Sequence, residues 1–154
     1  CRRLSLTDNL LLTTRRGFTA GPWLLHRRAE AKMGELATQF NINPANPRLA
    51  ARQLSGGNLQ KMVIAREFFR RPRLIVAEQP TQGLDIAATE EVWQLLLKAR
   101  ERAGILLVTG DLAEALALAD RLAVMFDGRI VDTFGADDQD KIKSIGLMMA
   151  GSRP

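Results

Sequence analysis

A chain of 154 residues that is 46% hydrophobic holds enough apolar side chains for one sizeable core and too few for two. One cysteine, Cys1, and one histidine, His26, exclude a disulfide framework, a cysteine-based zinc cluster and most histidine-dependent catalysis, and fit a reducing, cytosolic setting. No apolar run approaches the roughly 20 residues that span a bilayer. The net charge of +5 hides a split, because residues 1–73 carry 14 Lys and Arg against 4 Asp and Glu, and residues 74–154 carry 8 against 13. The basic half suits nucleic acid, anionic lipid headgroups or an acidic partner, or it is a solvated helical surface.

The chain opens on a helix-start pattern with Cys in place of Met, as expected for a piece of a longer polypeptide. Thr7–Leu12 predicts a short helix and Pro22–Phe40 a longer one, rich in Ala, Leu, Glu and Arg, with loops over 15–21 and 41–47. Residues 1–52 thus form a helical subdomain, in which His26 is a structural residue with no second histidine to complete a site. From Gln53 the pattern changes. LSGG opens a helix carrying Leu59, Met62, Val63, Phe68 and Phe69 at near-helical spacing and stopping at Pro72. Leu74–Ala77 and Ile105–Thr109 are apolar runs without alternation, the pattern of parallel strands covered on both faces, and Ile86–Arg102 is the helix between them. A further helix, Leu112–Asp120, precedes Leu122–Phe126. Asp127-Gly128 fits a two-residue hairpin turn into Arg129–Phe134, and Asp138–Ala150 closes as a short amphipathic helix. Trp23 and Trp93 read as core or interface anchors, and Met148 and Met149 as packing residues of the tail helix.

Ser55-Gly56-Gly57 at a helix start places a hydroxyl and unobstructed backbone N–H groups at the positive end of a helix dipole, a natural phosphate site, although the same residues also serve ordinary capping. The run that contains them, LSGGNLQKMVIAR over 54–66, resembles the signature motif and helix of ABC ATPases. In the right order after it, LIVAEQPTQGLD over 74–85 resembles the Walker B strand and D-loop, and VTGD over 108–111 resembles the switch region. The resemblance covers Leu4 to Gly151. Asn58 after Ser-Gly-Gly, the QPTQGLD run and the closing IGLMMAG liken it to the second cassette of tandem importer ATPases for simple sugars and nucleosides. The fold implied is α/β, a partial P-loop NTPase fold of parallel strands with flanking helices. It joins the N-terminal helical subdomain to the C-terminal half of the ATPase core, 53–154, which ends in a hairpin.

The departures from that pattern are as informative. Anchored on Pro80-Thr81, the Mg²⁺-shell Asp of the family falls at Glu78 and its catalytic Glu at Gln79, which cannot accept a proton. Glu78 could reach Mg²⁺ through water, or be a plain strand-end carboxylate, although a charge on a buried strand needs a partner. A second register makes Glu78 the catalytic carboxylate and Ala77 the lost Asp. The family's switch His is Gly110, which equally suits a turn after the strand. None of the five Lys follows a Gly, so the chain holds no Walker A Gly-Lys-Ser/Thr. The P-loop and Q-loop are expected N-terminal of Cys1.

Family cassettes close head to tail, each ATP held between one subunit's P-loop and the other's signature. The resemblance therefore implies that Ser55, Gly56, Gly57, Asn58 and Gln60 contact nucleotide on a partner cassette and that Asp85 of the D-loop braces the interface. Gln79 and Gly110 leave this chain's own site degenerate, and ATP and Mg²⁺ are the cofactors of the full dimer. The partners implied are a second cassette, in the N-terminal half of the same polypeptide, membrane permease subunits and, indirectly, a substrate-binding protein, with no nucleic acid. The setting implied is cytoplasmic, peripheral on the inner face of the cell membrane, and the isolated chain is expected to be inactive. Two rivals are a soluble ABC protein acting on ribosomes or DNA and a non-catalytic scaffold.

Overall fold

The computed structural model describes residues 1–151. Chain packing divides it into two compact units, Cys1–Leu106 and a second beginning at Leu107.

In the first unit, α1 (Leu6–Thr13) starts where Ser5 caps it: the Ser5 hydroxyl accepts from the Asp8 N–H at 3.0 Å and donates to the Asp8 carboxylate at 2.6 Å. Asn9, fully buried, donates from its amide to the carbonyls of Cys1, Leu4 and Ser5, tying the segment before α1 onto the helix. The same segment is held from the other side, because Leu6 N–H donates to Leu49 and Ala51 N–H to Leu4. The helix expected over Pro22–Phe40 starts later than the sequence suggests. Thr19–Ala20 (β1) and Trp23–Leu24 (β2) make a small antiparallel ribbon, and α2 covers His26–Gln39. The reason is local: Gly21 turns the chain at φ 56°, Pro22 follows, and Leu25 N–H closes the ribbon on the Phe18 carbonyl at 2.7 Å instead of beginning a helix. Trp23 at this turn is 75% exposed, so it is no core anchor.

A 3₁₀ turn, Ala51–Gln53, leads into α3 (Gly56–Phe69). Both ends of the expected helix hold, with Arg70 as its C-cap just ahead of Pro72. Its far end packs back on the N-terminal helices, with Phe69 stacked on Phe18 (centroids 5.9 Å) and Phe68 edge-on to Phe40 (6.1 Å). The core of the unit thus combines Leu6, Leu10, Met33, Leu36, Met62 and Ala65 from three helices.

The strand β3 (Leu74–Glu78) is hydrogen-bonded to β4 (Gly104–Val108), with α4 (Ile86–Ala99) between them in sequence. The expectation that both faces of these strands are covered fails. Leu74 and Val76 are 64% and 63% exposed, and Leu106 is exposed as well, because the pair forms a sheet of two strands only and every second side chain faces solvent. Glu78 shares that open face, so its charge carries no burial penalty.

In the second unit, α5 (Leu112–Leu118) precedes the hairpin β5 (Arg121–Phe126) and β6 (Arg129–Gly135). Asp127 and Gly128 both take positive φ, 46° and 71°, as a two-residue turn of the primed type requires. The tail helix α6 (Gln139–Met149) lies on the hairpin, burying Ile145 and Met148 against Leu122, Val124 and Phe134. Met149 stays exposed and so is not a packing residue.

Candidate functional site

The N-termini of α3 and α4 meet. Ser55 caps α3, its Oγ accepting from Asn58 N–H at 3.4 Å, and Asp85 caps α4, its Oδ1 accepting from Ala88 N–H at 2.8 Å. Where the two first turns touch there is no room for a side chain on α3: a Cβ built on Gly57 would lie 2.7 Å from Ala88 Cβ, while one on Gly56 would make an ordinary 3.7 Å contact with Leu84. Gly57 is therefore required by helix packing, and Gly56 is open on its outer side.

The exposed rim of this junction is a donor set. Gly56 and Gly57 N–H occupy the first turn of α3, where no acceptor among the described residues reaches them, as is usual for the first amides of a helix. They lie beside the exposed Ser55 hydroxyl at the positive end of the helix dipole, which fits a phosphate oxygen. Asn58 is engaged at both ends of its amide, Oδ1 accepting from Asn43 N–H at 2.7 Å and Nδ2 donating to Ser55 Oγ at 3.0 Å. It anchors the serine to the loop after α2.

Lys61, which the sequence did not single out, joins three elements. Its side chain is only 8% exposed, and its Nζ donates to Glu91 Oε2 on α4 and to the Asn41 carbonyl after α2, each at 2.6 Å. The Asn41 amide donates to the other Glu91 oxygen at 3.3 Å. A lysine in a signature helix reads as solvated charge, and its partner lies 30 residues away, so no local pattern could have paired them.

The remaining predicted site residues stand on α3, at the end of β3 and in the second unit. Gln60 is half-buried on α3. Glu78 ends β3, exposed, and Gln79 leaves the strand at φ 46°, its carbonyl accepting from Gln82 N–H in the turn toward Asp85. Gly110 belongs to the second unit, ahead of Asp111, which caps α5 by accepting from Ala113 and Glu114 N–H. Among the described residues no three His, Cys, Asp or Glu side chains gather as a metal cage. His26 carries no site chemistry: its Nε2 lies 3.1 Å from Asp8 Oδ1 on the surface. Asp8 itself is held below the usual carboxylate range, chiefly by the Ser5 hydroxyl and then by His26.

Comparison with known proteins follows the same lines. No family model matches. The chain is 40% identical over 122 residues to the guanosine import ATP-binding protein NupO of Bacillus subtilis, covering 79% of this chain and 24% of that protein. It is 33% identical over 151 residues to a ribose import ATP-binding protein, RbsA 1, of Rubrobacter xylanophilus, covering 97% and 30%. It thus spans between about a quarter and a third of these curated relatives. Among solved structures, a dimeric ATP-binding cassette in a post-hydrolysis state with ADP and Pi matches at 26% identity and TM-score 0.67, over 88% of this chain and 58% of that one. A nucleotide-free cassette of an ABC transporter shares the fold at TM-score 0.74 and 20% identity, over 95% and 60%. With the signature run capping α3, the D-loop run capping α4 and these relatives in agreement, the chain belongs to the ATP-binding cassette family of ABC transporters.

Proposed function

We propose that this chain is part of the ATP-binding subunit of an importer for a sugar or nucleoside-like solute, and that it completes an ATP site on a partner cassette while its own site is degenerate. The observation that carries the reading is the exposed donor set at the start of α3, Ser55 Oγ with the Gly56 and Gly57 amides, held in place by Asn58 and by the contact with α4. These donors bind and orient the γ-phosphate of ATP held by the partner, and Gln60 contributes one turn along. Asp85 braces the interface beside the attacking water. ATP, when bound, supplies the phosphoanhydride whose cleavage drives transport, and Mg²⁺ comes with it, with Glu78 as a contributor through water. Gln79 and Gly110, at the positions of the family's catalytic Glu and switch His, provide neither base nor γ-phosphate contact, so hydrolysis at this chain's own site is lost. The second cassette lies in the N-terminal half of the same polypeptide, and residues 1–52 dock on permease subunits fed by a substrate-binding protein, at the inner face of the cell membrane. The import ATPases NupO and RbsA support this reading through their names and their similarity to this chain.

The test is ATP hydrolysis by this chain alone and mixed with an intact cassette. No activity alone and stimulation on mixing is expected; strong hydrolysis alone overturns the reading. Ser55→Asp refines it, because Asp caps a helix as well as Ser but repels a phosphate. Ser55→Asp should keep the helical signal and abolish stimulation, as should Ser55→Arg by steric and charge clash. Full stimulation by a folded Ser55→Asp chain refutes the phosphate contact.

A further inference from the structure

The segment between α1 and α2 has no place in the ATP site, yet its composition is one-sided. Residues 14–29 contain four arginines, Arg15, Arg16, Arg27 and Arg28, and no Asp or Glu. All four are exposed, and among the described residues none forms an ion pair, whereas the nearby acids are occupied: Asp8 with His26, Glu30 with Arg48 and Glu35 with Lys32. The β1–β2 ribbon brings the two arginine pairs to its base, since Phe18 N–H bonds the Arg15 carbonyl on one side and Leu25 N–H bonds the Phe18 carbonyl on the other. Arg16 and Arg28 line one groove of about 350 Å³. At the ribbon's turn stand Trp23, 75% exposed, and Leu24, 48% exposed.

We propose that this ribbon is a contact for an anionic membrane surface, with Trp23 and Leu24 entering the headgroup region and the four arginines pairing with lipid phosphates. Burial of Trp23 in the chain's own core is ruled out by its exposure, and an exposed tryptophan beside an apolar neighbour leaves a large apolar surface in water with no gain. Indole is amphipathic and suits the interface, and unpaired arginines suit a negative leaflet potential. An acidic protein loop would satisfy the charges and leave the Trp-Leu tip in water. A nucleic acid strand would want several aromatic platforms along a groove, and the ribbon offers one. The contact is independent of the phosphate site, with which it shares no residue. It adds a surface interaction to a chain in which no described helix is long and apolar enough to cross a membrane.

The test uses the full chain with Trp93→Phe, so that Trp23 is the one fluorophore, and vesicles of phosphatidylcholine with or without phosphatidylglycerol. Binding to the phosphatidylglycerol vesicles, a blue shift of Trp23 emission and loss of both at high salt are expected. Each arginine near an anionic surface is worth about fivefold in binding, so Arg15→Gln/Arg16→Gln/Arg27→Gln/Arg28→Gln should weaken it more than about a hundredfold. The double change Arg71→Gln/Arg73→Gln, compared per charge removed, serves as the control and should have little effect. All of these side chains are exposed, so an unchanged circular dichroism spectrum confirms the fold. Equal binding to phosphatidylcholine alone, an unmoved Trp23 spectrum on binding, or an equal loss per charge in the control overturns the proposal. So does the absence of vesicle binding together with tight binding to a polyglutamate peptide or an RNA oligonucleotide, which assigns the surface to that partner instead.

Discussion

Replacing each signature glycine by alanine separates the packing at this junction from its backbone chemistry. A Cβ on Gly57 would sit 2.7 Å from Ala88 Cβ, about 1 Å inside a comfortable carbon–carbon separation. Ala88 lies in the first turn of α4 and has no torsion with which to retreat, so the helices must part. Overpacking of this kind costs about 1–3 kcal/mol, offset by up to about 1 kcal/mol of helix propensity gained over glycine. The net expectation for Gly57→Ala is a loss of about 1–2 kcal/mol. Gly56→Ala meets only Leu84 at 3.7 Å and should keep the propensity gain, so it is neutral or stabilising by up to about 1 kcal/mol. Urea unfolding followed by Trp93, half-buried on α4, in a Trp23→Phe background measures both. Ala88→Gly opens the space that Gly57→Ala needs, so the double variant should recover about 1–3 kcal/mol relative to the sum of the singles. Equal losses for the two alanine variants, or additivity in the cycle, refute the argument.

At the Lys61–Glu91 pair the smaller loss should come from removing the more buried partner. Lys61→Met leaves a carboxylate that is nearly half open to water, whereas Glu91→Ala strands a buried ammonium on one carbonyl. Glu91→Ala is expected to cost about 3 kcal/mol and Lys61→Met about 1–2 kcal/mol, read from urea midpoints. Asp85→Ala removes the cap of α4 and should cost about 1 kcal/mol, while Asp85→Asn keeps the cap; an ATPase stimulation lost in Asp85→Asn at unchanged melting temperature separates the interface role from capping. Asp8 titrates lower in the folded chain than in the unfolded one, so its contribution is complete above the unfolded value of about 3.9 and fades as pH falls through the folded value. The melting temperatures of the parent chain and Asp8→Asn should therefore differ at neutral pH and converge as pH falls below about 4. Curves that stay parallel to low pH would exclude the effect.

The elements that the sequence made legible are those fixed by local chemistry. The Ser55 cap and the Asp127-Gly128 turn are a short-range hydrogen bond and a φ requirement, and each lies where the residues suggest; the Asp85 cap is equally local but was not read from the sequence. Pro22 misled because proline is welcome in the first turn of a helix; the preceding glycine and the bond from Leu25 to Phe18 decided for a ribbon. The apolar runs of β3 and β4 described strands correctly but not their surroundings, since an unalternating pattern reports the environment a strand is suited to. That Ser55, Gly56, Gly57, Asn58 and Asp85 share one junction rests on a tertiary contact, Gly57 against Ala88, which the order of the motifs does not give. The Lys61–Glu91 pair and the Asn58–Asn43 bond link distant segments and carried no local signal.

Gly57 against Ala88 and Lys61 against Glu91 both join α3 to α4, about one helical turn apart on each helix. A single contact would act as a pivot, whereas two in line resist a swivel. The serine at one helix start and the aspartate at the other therefore travel together, like two teeth of the same key: a push on α4 reaches Ser55 as a displacement of the whole plate and not as a tilt.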